Sequence, residues 1–98
     1  MIRGTTPTHS FSVPYDLTNV ENIVIRYGQN DKPLFEKTKA DCIIAGNLIT
    51  VTLTEEETYS FDCHFVGQAQ IELTFIGGEK IKSEIMLFSV GRCLKGGL

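Results

Sequence analysis

The chain of 98 residues has no tryptophan, two histidines and three cysteines. The cysteines are odd in number, at Cys42, Cys63 and Cys93, so 21 and 30 residues apart, and no C-x-x-C occurs. A secreted disulfide scaffold is denser than this, and a zinc site has paired ligand spacings that Cys42, Cys63, Cys93, His9 and His64 lack. No apolar run approaches the roughly 20 residues that span a bilayer. The opening MIRGTTPTHS has an arginine but no apolar stretch behind it, which is not the pattern of a signal peptide. Lysine and arginine are scattered under a net charge of −3. A nucleic-acid-binding surface needs a clustered basic face. These absences leave a protein made and kept in the cytoplasm or assembled there, with neither nucleic acid nor membrane as partner.

What is present is alternation. A 42% apolar, 21% charged chain of this length makes one domain with one modest core. In THSFSVP, His9, Phe11 and Val13 share a face; in ENIVIRYG, Ile23, Ile25 and Tyr27 do, with Val24 and Arg26 opposite. That period of two predicts strands. PLFEK is a third, and Pro33 at its start places it at a sheet edge. Gly46-Asn47 fits a two-residue type II′ hairpin loop. It pairs Ala45 with Leu48, Ile44 with Ile49 and Cys42 with Val51, so that Cys42, Ile44, Ile49, Val51 and Leu53 land on one face. For the last hairpin, a three-residue loop Gly77-Gly78-Glu79 sets Phe75 against Ile81, Leu73 against Ser83, Ile71 against Ile85 and Ala69 against Leu87, keeping apolar with apolar.

Seven strands with frequent turns and no long helical pattern predict an all-β, immunoglobulin-like antiparallel sandwich. Residues 1–98 form the single domain, with arms at 1–7 (MIRGTTP) and 91–98 (GRCLKGGL). One short helical turn is expected near residues 54–59. There Thr54-Glu55-Glu56-Glu57 reads as a capping box, and three carboxylates suit the positive end of a helical turn. Tyr59 and Phe61 should then return to the core, with Tyr59 pinning the crossing between sheets.

The last strand is anomalous. Its outer face begins polar, with Glu72, Lys82 and Glu84 across the hairpin, then turns apolar at Met86, Phe88 and Val90. Either a bulge flips the alternation, or a loop covers that face, or the face docks on another subunit. Exposed apolar patches mark partners, so Met86, Phe88 and Val90 are candidate interface residues. Ile2, Arg3, Arg92 and Leu94 of the two arms join them, since extended segments can add to a neighbour's sheet edge.

No catalytic or cofactor-binding residue is assigned. The three glutamates do not converge from separate segments, as catalytic carboxylates must. Cys63 and His64 are adjacent, and neighbours on a strand face opposite ways, so they could meet only in a loop. Neither Gly77-Gly78 nor Gly96-Gly97 has the context of a phosphate loop.

The opening MIRGTTPTHSFSVP, the central DCIIAGNLITVTLTEEETYSFDC and the closing SVGRCL resemble a group of small proteins encoded by phages and prophages of Firmicutes. The likeness spans nearly the whole chain. A looser one, of fold only, is to the immunoglobulin-like N-terminal domains of phage baseplate proteins. The resemblance implies a non-enzymatic virion structural or accessory protein, a capsid decoration or a tail or baseplate component. Its partners would be other virion proteins and itself, as a homo-oligomer or assembly component, and it implies no catalytic motif. The alternatives are a small binding module for a host receptor or glycan, which the missing tryptophan disfavours, and a cytoplasmic enzyme or metalloprotein.

Overall fold

The computed structural model describes residues 1–92. Strands β1 (Thr8–Ser12), β4 (Cys42–Ala45) and β5 (Leu48–Thr52) make one antiparallel sheet in the order β1-β5-β4. A second antiparallel sheet contains β2 (Val20–Gln29), β3 (Lys32–Thr38), β6 (Gly67–Phe75), β7 (Lys80–Lys82) and β8 (Met86–Phe88). Its order is β3-β2-β6, with β7 and β8 paired successively along the far side of β6. One helical turn, α1 (Glu55–Tyr59), joins β5 of the first sheet to β6 of the second. The order corresponds to B-E-D facing C′-C-F-G of an immunoglobulin sandwich, with α1 at the E–F crossing.

The inward faces follow from the alternation. Ile23, Ile25 and Tyr27 of β2, Ala69, Ile71 and Leu73 of β6, and Ile49 and Val51 of β5 are all buried in one cluster. Each such aliphatic side chain contributes about 1.5–3 kcal/mol on burial. At one end of the core the rings of Tyr27 and Phe35 stack at 5.0 Å, and Phe61 meets Phe88 edge-on at 5.5 Å. The Gly46-Asn47 hairpin has the expected register, Cys42 opposite Val51 and Ala45 opposite Leu48. Gly46 alone supplies positive φ there (+62°), as type II′ requires. Asn30 and Asp31, both with positive φ, make the tight β2–β3 turn of type I′ form. Pro33 does lie on an edge strand.

The last hairpin departs from expectation twice. Its loop is Ile76-Gly77-Gly78, closed by Phe75 N–H donating to the Glu79 carbonyl at 2.9 Å, so Leu73 faces Ile81 rather than Ser83. A slip of two residues keeps every side chain on its face, so alternation cannot discriminate. Turn chemistry does, because the expected loop would end on Glu79 where the observed one ends on Gly78 at φ +93°. Second, the strand breaks at Ser83–Ile85. Leu73 opposes Ile81 before the break, but Ala69 opposes Met86 after it, a shift of one residue that inverts the faces. Ser83 carries the irregularity: its N–H donates to the Ile71 carbonyl at 2.8 Å, and its Oγ accepts from the Ile71 N–H at 2.9 Å. The interruption makes eight strands where seven were expected.

The glutamate triplet turns the corner as a capping box. Glu57 N–H donates to Thr54 Oγ1 at 3.1 Å, and Glu57 Oε1 accepts from Thr54 N–H at 2.8 Å. The same Oε1 lies 2.6 Å from Nζ of Lys37, a lysine only 7% exposed on the inward side of β3. Phe61 is buried as expected, and Tyr59 is half-buried at the corner. Its ring lies beneath Arg3, 5.7 Å from the guanidinium, and against Gly4. Thr58, with no exposure, also fixes the corner. Its Oγ1 accepts from Gly4 N–H at 2.9 Å and shares its own proton between the Thr5 and Glu55 carbonyls.

Three substitutions test this corner. Glu57→Gln keeps a capping acceptor but leaves the Lys37 ammonium unpaired. It should lower the unfolding free energy by about 2 kcal/mol, below the roughly 3–5 kcal/mol for breaking a fully buried pair because water reaches Glu57. Glu55→Gln should stay within about 0.5 kcal/mol; equal losses in denaturant titrations would refute the distinction. Thr58→Val conserves shape but strands the Gly4 N–H, costing about 1–3 kcal/mol. Amide exchange at Gly4 should quicken selectively, and unchanged protection there would remove Thr58 from this role.

Candidate functional site: the outer surfaces and the 62–64 loop

The inversion at Ser83 decides where the expected contact residues lie. Met86 and Phe88 turn inward against the core, and Val90 is buried in it. The Phe88 ring packs so closely over Gly67 that a Cβ there would collide with it. These three side chains therefore do not form an exposed apolar face, because the bulge alternative is the one the chain adopts. The first arm is likewise attached to its own domain. Ile2 and Gly91 form a parallel bridge, in which Gly91 N–H donates to the Met1 carbonyl at 2.7 Å and Arg3 N–H to the Gly91 carbonyl at 3.1 Å. Arg3 also donates through Nη2 to the Tyr59 carbonyl at 3.2 Å. Of the arm candidates, Ile2 keeps about half its surface exposed and Arg92 is exposed. Leu94 lies outside the described residues.

The same inversion turns Leu87 outward at 65% exposure. Leu87 opposes Gln68 on β6, and Val66, two residues earlier on the same face, is exposed beside it. Ile85 of the bulge is exposed as well and lines a depression of about 210 Å³ over Gly28, Pro33 and Gln68. That volume is below the roughly 300–1,000 Å³ of a small-molecule pocket. A second depression of about 290 Å³ lies between β1 and β8 and has His9 as its one titratable lining side chain.

His9 sits half-buried with Nδ1 2.7 Å from the Tyr27 hydroxyl. Burial, reinforced by the N-terminal ammonium, pushes its pKa below the ordinary histidine value, and burial raises that of Tyr27. The pair is thus a neutral hydrogen bond, the satisfied near-core histidine that the alternation with Phe11 and Val13 suggests. Cys42 is also half-buried, its Sγ 3.2 Å from the Thr38 carbonyl. Burial first, then Asp41, raises its thiol pKa, which keeps it protonated and inert.

Asp62, Cys63 and His64 do meet, in the loop between α1 and β6. The Asp62 carboxylate accepts from the His64 N–H at 2.8 Å and lies 2.7 Å from His64 Nδ1. Hydrogen bonding from that backbone N–H, then from the imidazole, holds the Asp62 carboxyl below its usual pKa. Cys63 Sγ lies 3.9 Å from the same Nδ1. A thiol–imidazole–carboxylate triad puts nucleophile and carboxylate on opposite ring nitrogens. Here both address one nitrogen, so the imidazole cannot take the thiol proton while the carboxylate orients it.

Beneath this loop is Gln29, 7% exposed. Its Nε2 donates to the carbonyls of Asp62 at 2.6 Å and Phe65 at 3.0 Å, and its Oε1 accepts from Asp62 N–H at 2.7 Å. Sequence reasoning missed Gln29, Lys37 and Thr58. For Lys37 a signal existed: it follows Phe35 at a spacing of two, and an inward lysine needs a carboxylate. Comparison with models of protein families, with curated proteins and with solved structures returns no match.

The His9 pKa fixes a sign. Between its depressed folded value and the unfolded value of about 6.5, the unfolded chain binds more protons, so stability rises with pH through that window and falls as His9 is forced to protonate. His9→Gln should therefore flatten the stability profile below neutrality relative to wild type. Identical slopes in parallel thermal unfolding series would show that His9 does not titrate differently in the two states.

Proposed function

We propose that the chain is a non-enzymatic structural module of a bacteriophage virion, a capsid decoration or a tail or baseplate component, working through contacts with other virion subunits and with copies of itself. The supporting observation is a set of exposed apolar side chains, Leu87 turned outward on β8 by the one-residue inversion at Ser83, with Ile85 just before β8 and Val66 just before β6. A strand that turns leucine outward while its neighbours fill the core presents surface that water penalises and a partner subunit would cover. The resemblance of MIRGTTPTHSFSVP and SVGRCL to small phage-encoded proteins supports the same class of partner, and so does the immunoglobulin-like strand order. Ile2, bridged to Gly91, and its chain neighbour Arg92 are further exposed candidates for contact.

The contact role predicts that Leu87→Glu, alone or with Val66→Glu, leaves the monomer folded by circular dichroism, since neither side chain enters the core. The same variants should fail to join particles when co-expressed with the remaining virion proteins. Mass spectrometry of purified particles should find the wild-type chain at a fixed copy number. Its absence from particles, or incorporation undiminished by Leu87→Glu, would overturn the reading.

A further inference from the structure

We propose that Asp62 Oδ1, Cys63 Sγ and His64 Nδ1 form a binding site for a divalent cation of the zinc class, with water in the fourth position. The three ligand atoms lie within 4.8 Å of one another. Tetrahedral zinc, with bonds of about 2.3 Å to sulfur and about 2.0–2.2 Å to nitrogen and oxygen, spaces its ligands by about 3.4–3.6 Å. The observed Sγ···Nδ1 separation of 3.9 Å and Oδ1···Nδ1 separation of 2.7 Å straddle that spacing. Small side-chain rotations therefore suffice to close on a cation. The feature that excludes a nucleophilic triad, both groups converging on one imidazole nitrogen, is what coordination requires. The donor set of thiolate, imidazole and carboxylate favours zinc or a similar borderline ion over calcium or magnesium.

The second observation is the support. Gln29 spends its buried amide on three hydrogen bonds to the backbone of this surface loop. It fixes Asp62 and Phe65, the residues bracketing the ligand segment, so the cation need not order the chain. Among the described residues no other group of three such side chains converges.

Binding is balanced by proton release. The thiol gives its proton to solvent as the Sγ–cation bond forms. His64 binds through the Nδ1 lone pair, and any proton on that nitrogen passes to Nε2 or to solvent.

The test is titration of the reduced full-length protein with Co²⁺. One equivalent should produce a thiolate-to-cobalt charge-transfer band and the intense visible bands of a tetrahedral site, with proton release to a pH indicator, and Zn²⁺ should displace it. Cys63→Ser should abolish the charge-transfer band, and His64→Gln should weaken Co²⁺ binding at least tenfold. Cys42→Ala and Cys93→Ser should leave both intact. A wild-type titration without the band, or a band that survives Cys63→Ser or disappears with Cys93→Ser, would overturn the site. The result is independent of particle incorporation, so its failure would leave the contact role standing.

Discussion

One half-buried ion pair organises the corner where the chain passes from sheet to sheet. A sandwich must carry its chain across the open end between two apolar faces, and that crossing exposes backbone groups that neither sheet can satisfy. Glu57 meets the demand from two directions. Its carboxylate caps the first turn of α1 through Thr54 N–H and neutralises Lys37, which reaches the interior from the edge strand of the other sheet. The corner is thus tied to β3 as well as to its own turn. Thr58, one residue on, ties it to the N-terminal segment. A lysine at Lys37 would be costly without that carboxylate, and the capping box alone would not specify where α1 docks.

The second constraint is the slip at Ser83. Polar-out alternation along the last hairpin would leave Met86 and Phe88 on the surface and Leu87 inside. Inverting the faces after β7 lets Phe88 complete the aromatic packing around Phe61 and Tyr27, at the cost of exposing Leu87. Ser83 makes the inversion tolerable because its hydroxyl replaces a ladder carbonyl as acceptor for Ile71 N–H. Core completion and surface exposure are therefore the same event, and the exposure of Leu87 follows from filling the core.

Strand positions, the Gly46-Asn47 register and the capping box were legible because each rests on local rules that a sequence states directly: a period of two, a glycine at positive φ, a Thr and a Glu three residues apart. The placement of Met86, Phe88 and Val90 was legible only as alternatives, since their pattern is the same whether a bulge, a loop or a partner accounts for it. The register of the last hairpin was misplaced by two residues because such a slip preserves every face, leaving only the turn glycines to decide. The arm at 1–7 looked free because its partners, Thr58, Tyr59 and Gly91, are distant in sequence and contribute mostly backbone or small groups. Gln29 was invisible for the same reason: all three of its hydrogen bonds go to main-chain atoms of Asp62 and Phe65, which have no compositional signature.

The geometry of the 62–64 loop separates two kinds of chemistry that the sequence D-C-H could serve. General-base activation of a thiol needs an imidazole with a free nitrogen toward sulfur and its other nitrogen fixed by a carboxylate. Coordination needs the donors to face a common point. Three consecutive residues in a tight turn satisfy the second condition easily and the first hardly at all, because a short backbone arc points its side chains to one side of the loop and therefore toward one edge of the ring. The loop lies directly before Phe65 and Val66 and the outward-facing strand edge. Gln29 already holds that segment through Asp62 and Phe65, so whatever covers Val66 and Leu87 would meet an ordered surface with or without a cation.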